Sequence, residues 1–189
     1  MPSSDVRHAI IAWVSGPRGQ LISQSRRSLA GWQSSIRRPG GEDADPDSIS
    51  FIKERGGPGH QLHFVRFNTR TGEQRMFVVG VVQQPDGRWE VRGCAGGGGG
   101  DPARDHPWIN FGAWGWPHSF SGGGRVIGVN SEDAAGAKLR FADGTTLEDS
   151  VDAGVVLFMT KGPVRLPVTV EILDGTGSML ATYKAFQGT

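Results

Sequence analysis

The residues best equipped for recognition lie between two glycine clusters. Trp108, Phe111, Trp114 and Trp116 are interleaved with His106, Asn110 and His118, and Phe120 follows; Gly96 to Gly100 precede the group and Gly122 to Gly124 close it. Tryptophan rings present large flat apolar faces with few torsions to freeze. With imidazole and carboxamide groups at the rim, His106, Trp108, Asn110, Phe111, Trp114, Trp116 and His118 would suit stacking on a sugar or on a proline-rich peptide. The competing use of the same rings is structural, as a plug at the open end of a sheet or a filler between two β regions.

Other chemistry finds less support. His60 and His63 are three residues apart, an offset that sends them to opposite faces of a strand, and no carboxylate or thiol pattern completes a metal set, so no metal or other cofactor is expected. His106 and His118 could approach one another only across a loop. The five-glycine run lacks the Gly-Lys-Ser/Thr ending of a phosphate loop and continues into Asp101-Pro102, which reads as a flexible connector. No Gly-x-Ser-x-Gly elbow occurs, and Cys94 at the end of a strand reads as a small buried apolar residue. Asp143, Glu148, Asp149 and Asp152 have no EF-hand spacing and border a hairpin, so they read as a solvated strand edge.

Composition sets the outer bounds. Thirty glycines and eleven prolines in 189 residues favour turns and short strands over long helices. A net charge of +1 creates no global field towards nucleic acid, and a lone cysteine leaves the fold to its core. Arginine outnumbers lysine sixteen to four, the usage of a GC-rich bacterial genome. The longest apolar runs, Ala9 to Val14, Phe77 to Val82 and Val155 to Met159, fall short of the ~20 residues that span a bilayer. No cleavable signal peptide is visible, which gives a cytoplasmic location by default.

These residues need elements to position them. From residue 6 to residue 41 there is no acid, while Arg7, Arg18, Arg26, Arg27, Arg37 and Arg38 are all cationic. Ile22, Ser25, Leu29, Trp32 and Ile36 recur at spacings of three and four, which predicts an amphipathic helix over 20–37, stopped by Pro39-Gly40-Gly41. Its face would offer Arg26, Arg27, Trp32, Arg37 and Arg38 to a partner or to an anionic membrane surface. The acidic residues from Glu42 to Asp47 then form a linker or begin the next element.

Period-two alternation from Gln61, a turn at 69–72, an apolar strand over 74–84, the turn Pro85-Asp86-Gly87 and a strand over 88–93 predict an antiparallel meander. Beyond the aromatic segment, strands are expected at 125–129, 137–142, 145–151, 155–160, 168–173 and 178–186, with Asp143-Gly144 and Asp174-Gly175-Thr176-Gly177 as hairpin turns. That spacing describes a β-sandwich of immunoglobulin-like layout, without a Cys-Trp-Cys core.

The expected protein is thus mainly β: a basic helical segment (1–41), a meander (42–100), a Trp/Gly-rich connecting loop (101–124) and a sandwich region (125–189) able to form one domain with the meander. Its expected function is that of a non-enzymatic binding or assembly module acting through the aromatic loop. A carbohydrate-binding domain or glycan-active enzyme, and a peripheral membrane subunit docked through the basic helix, are the alternatives. A protein or a glycan is the expected partner; six arginines without a further basic stripe do not make a nucleic-acid footprint.

Overall fold

The computed structural model describes residues 4–16, 25–27, 33–35, 41–98, 108–116, 119–127, 133–161, 164–165 and 167–185. Among the described residues the chain is mainly β, with antiparallel sheets and one short α-helix. It divides into two compact units, one of residues 1–25 and 34–100 and the other of residues 26–33 and 101–189.

In the first unit, helix α1 (Ser4–Val14) carries Asp5 in its first turn, where a carboxylate complements the helix dipole. Val6, Ile10 and Val14 recur every fourth residue and are fully buried. They pack on one face of a four-stranded meander, β3 (Ser50–Gly57), β4 (His60–Asn68), β5 (Gln74–Gln83) and β6 (Trp89–Gly98), in sequential order. Val65, Phe67, Phe77, Val79 and Val81 supply the sheet side, with Phe67 and Phe77 stacked at 5.8 Å. The other row of the central strands is buried too, through Leu62, Phe64 and Val78, so β4 and β5 carry apolar residues on both faces. Strand β3 was hidden in the sequence by Lys53, Glu54 and Arg55, charges that suit its place at the sheet edge.

The helix predicted over 20–37 gives way to two paired strands, β1 (Ser25–Arg27) and β2 (Gln33–Ser35). Five serines and Gly31 interrupt that span, and both residue types disfavour a helix interior. Its threefold and fourfold apolar spacing therefore had no propensity behind it. Both ends of the excursion are held at the C-terminus of α1: Val14 O accepts from Glu42 N at 2.9 Å and from Ala44 N at 3.0 Å, and Gly16 O accepts from Asp43 N at 3.1 Å. A Cβ on Gly41 would run into the carbonyls of Trp13 and Gly16, so the close approach depends on glycine there.

Among its described residues beyond position 100, the second unit has seven strands in two sheets: β7 (Trp108–Trp116), β8 (Ser119–Ile127), β9 (Ala134–Phe141), β10 (Thr146–Ser150), β11 (Val155–Lys161), β12 (Val168–Asp174) and β13 (Met179–Ala185). One sheet has the order β11-β8-β7 and the other β10-β9-β12-β13. Val126, Val156 and Phe158 of the first share one apolar cluster with Leu139, Phe141, Val168, Val170 and Ile172 of the second. β9 alternates along its length: Leu139 and Phe141 are buried, while Lys138 pairs with Glu148 and Arg140 with Glu171 (3.1 Å) on the solvent side.

The tight turns follow the sequence. Asp143 accepts from Thr145 N at 2.9 Å and from Arg165 N at 3.1 Å, and Gly144 takes φ 84°. Asp174 Oδ1 accepts from Thr176 N, Thr176 Oγ1 and Ser178 N ahead of Gly177 at φ 83°.

Candidate functional site

The segment expected as a connecting loop contains two strands. β7 and β8 pair antiparallel from Trp108 opposite Ile127 to Trp116 opposite Ser119, and Gly122, Gly123 and Gly124 are the middle of a central strand. Gly96 to Gly98 likewise end strand β6, while Gly99 and Gly100 lie outside the described residues.

The glycines of β8 are explained by its neighbours. A Cβ on Gly123 would stand 2.5 Å from Val156 O and 2.6 Å from Leu157 Cδ2, closer than packed atoms tolerate. At Gly136 in β9 the nearest atoms would be Asp149 O at 3.6 Å and Leu173 Cβ at 3.9 Å, ordinary contacts. Gly123→Ala is therefore expected to cost about 1–3 kcal/mol by overpacking against backbone that cannot rotate away. Gly136→Ala is expected to stay within about 0.5 kcal/mol of the parent. Urea unfolding of the two variants measures the contrast; equal midpoints would mean that β8 and β11 are not this close.

Register sorts the aromatic residues. Residues directly opposite one another in an antiparallel pair share a face, and Ile109 is opposite Val126, a member of the core cluster. Ile109, Phe111, Ala113 and Gly115 therefore fall on the core face of the sheet. Trp108, Asn110, Trp114 and Trp116 fall together on the other face. Phe111 is thus separated from the rest of the expected binding set, and His106 and His118 lie outside the described residues.

Other residues of the tryptophan-bearing face were not singled out by the sequence. Trp114 is opposite Ser121, and Asn110 is opposite Arg125. Ser121 is buried with a hydroxyl that has no hydrogen-bond partner among the described residues, and Arg125 is exposed. On the next strand Val155 and Leu157 belong to the same face and are buried. The only signal for these positions was the alternation Ser119, Ser121, Gly123, Arg125, masked by the small residues usually found in loops.

The acidic group serves the framework. Asp143 caps its turn, with hydrogen bonds from Thr145 holding its carboxyl below the usual carboxylate range. Glu148 pairs with Lys138, Asp149 Oδ2 accepts from Leu157 N at 2.7 Å, and the backbone of Asp152 forms a β-bridge with that of Val155. No group of three metal-ligating side chains occurs among the described residues. Cys94 lies in β6 opposite Val79.

His63 is a buried titratable group with a large pKa shift. Its ring is fully buried on the α1 side of the sheet, with Nε2 3.0 Å from Gln61 Oε1, an edge contact to Phe51, and Nδ1 4.0 Å from Glu54 Oε2. Burial pulls its pKa from 6.5 down to about 4, against the opposing attraction of Glu54. A neutral imidazole sealed in a core can act on nothing outside it, so His63 is a structural residue.

Of the residues expected to meet a partner or a membrane, Arg26 and Arg27 form β1 while Trp32, Arg37 and Arg38 lie outside the described residues. The strands at 25–27 and 33–35 remove the continuous helix on which that docking face depended. Among the described residues no helix is long and apolar enough to cross a membrane. No family model, no curated protein and no solved structure matches the chain.

Proposed function

We propose that the protein is a non-enzymatic binding or assembly module that acts through the β7 face carrying Trp108, Asn110, Trp114 and Trp116. The observation behind this reading is their register: four residues suited to stacking and hydrogen bonding share one face, opposite the apolar cluster of the unit. We read the second unit as a β-sandwich of immunoglobulin-like layout. Named A to G in chain order, β7 to β13 form sheets A-B-E and G-F-C, which supports that layout. The departure is the fourth strand, β10, which pairs with the third and not with the fifth. A fold of this kind hosts many functions, so the site has to carry the argument.

A glycan is the second reading, favoured by the carboxamide of Asn110 and the guanidinium of Arg125 in adjacent positions of the tryptophan row, the mixture of flat apolar and polar groups that sugar rings require. The test compares binding with stability. If β7 binds a partner, Trp114→Ala and Trp116→Ala will each weaken pull-down or glycan-array binding by about 2 kcal/mol or more with little change in thermal unfolding. If both variants instead lose about 3–5 kcal/mol of stability, the rings are core and the proposal fails.

A further inference from the structure

The sheet that bears the tryptophans is free of acid. β7, β8 and β11 contain no aspartate and no glutamate, whereas the other sheet of the unit pairs Lys138 with Glu148 and Arg140 with Glu171. Register places two cations on the tryptophan-bearing face. Arg125 lies between Asn110 and Val155 in one rank, and Lys161 shares a rank with Ser119 and Trp116, six residues away along β8. Arg125 is exposed and has no ion pair among the described residues. Val155, opposite it, is 2% exposed, the division expected where an arginine stem covers apolar surface and the guanidinium stays in water. A guanidinium that its own sheet leaves without an acid is a site for an anion from outside, and a carboxylate is the group it holds through two parallel hydrogen bonds.

Spacing sets the shape of the ligand. At about 3.3 Å per residue the two ranks stand about 20 Å apart. Screening at physiological salt acts over about 8 Å, so one carboxylate cannot use both cations and a single chain must carry at least two. Trp114 and Trp116 fall on the same face on the way from Arg125 to Lys161, and flat apolar rings beside polar groups suit pyranose units. An extended peptide fits less well. It would pair with the backbone at a sheet edge, whereas Arg125 stands on β8, which is already paired on both sides by β7 and β11. We propose that the tryptophan-bearing face binds an acidic polysaccharide built of uronic acids, with one carboxylate on Arg125, another at Lys161 and sugar rings along Trp114 and Trp116. This inference rests on the reading of that face as the binding surface and adds the charge and the length of its ligand.

The probes are hexamers of galacturonate, mannuronate and guluronate, each beside its methyl ester, on an oligosaccharide array read with the full chain at physiological salt. At least one hexamer should bind saturably. Its ester, which keeps the rings and removes the charge, should bind at least about tenfold more weakly, and so should the disaccharide, which is too short to reach both ranks. Arg125→Gln should weaken the acid hexamer at least about tenfold and leave the ester unchanged, with thermal unfolding like the parent's because the side chain is exposed. Absence of saturable binding to every uronate, equal binding of acid and ester, or a disaccharide as tight as its hexamer overturns the proposal. Tighter binding of hexaglutamate than of every uronate hexamer also overturns it, by making an acidic peptide the ligand. The comparison of acid with ester uses the unaltered chain, so it decides the matter whatever the variants do. Equal binding of acid and ester that Trp114→Ala abolishes would remove the acid and keep the face, whereas uronate binding that survives both Trp114→Ala and Trp116→Ala would remove the face itself.

Discussion

Replacing Phe141 by alanine is expected to lower stability by about 3–5 kcal/mol, the cost of deleting a core aromatic ring. Phe141 is 3% exposed, belongs to the cluster shared by the two sheets of the second unit, and ends β9 opposite Val168. Its backbone also anchors the Asp143-Gly144 turn, with its N–H donated to Thr145 O at 2.9 Å and its carbonyl accepting from Gly144 N at 3.0 Å. Those bonds survive truncation, so the loss comes from transfer and cavity formation and not from the turn. Phe141→Leu keeps most of the volume and should cost under about 1.5 kcal/mol. The neighbouring Lys138→Ala removes an ion pair at a largely exposed glutamate and should cost about 0–1 kcal/mol. Urea midpoints in the order Lys138→Ala, Phe141→Leu, Phe141→Ala would fit this arrangement. An unchanged midpoint for Phe141→Ala would place the residue outside the core.

That prediction needed no coordinates to identify its residue, because the alternation of Leu139 and Phe141 with Lys138 and Arg140 and the Asp-Gly turn after them carry both face and register in a few consecutive positions. The meander strands over 60–68 and 74–83 and the first half of 89–98 were legible for the same reason, whereas Gly96 to Gly98, which continue the third strand, read as a connector. What failed was inference from spacing unsupported by propensity, or from propensity unsupported by neighbours. Ile22, Leu29, Trp32 and Ile36 had helical spacing on a backbone rich in serine and broken by Gly31. Among the described residues the α-helix is α1, where Val6, Ile10 and Val14 lie on alanine- and isoleucine-containing sequence with an acidic first turn.

β7 and β8 failed in the opposite direction, since glycine, serine and proline around the aromatic residues signal loop. Gly123 is required not by a turn but by the backbone of β11 lying across it, a contact with a segment 33 residues later that no local pattern contains. The candidate site was therefore legible as a set of residue types and not as a face. Only the pairing of Ile109 with Val126 separates Phe111 from Trp108, Asn110, Trp114 and Trp116.

Stability should fall as the pH drops from about 6.5 to about 4, and His63 should account for about 3 kcal/mol of the loss. The folded pKa is the lower one, so in this window the unfolded chain binds the proton and the folded chain does not. The contribution of His63 is complete above 6.5, declines through the window and changes no further below about 4. With Gln61 Oε1 as acceptor the neutral ring keeps its proton on Nε2. Nδ1 then faces Glu54 at 4.0 Å, too far for a hydrogen bond. Glu54 is 45% exposed, which screens the attraction that could otherwise have held the imidazolium in the core. From the helix side, the Arg7 guanidinium lies 5.0 Å above the Phe51 ring that touches His63. The carboxylates act in a lower window. Hydrogen bonds from Arg88, Thr145 and Thr176 depress the pKa values of Asp86, Asp143 and Asp174, so what they contribute is present above the ordinary aspartate range and is lost only as pH falls beneath it. His63→Leu should therefore flatten the stability profile between 6.5 and 4 while leaving the acid limb below 4 in place. A variant that keeps the parent's slope in the upper window would show that the neutral buried imidazole is not its source.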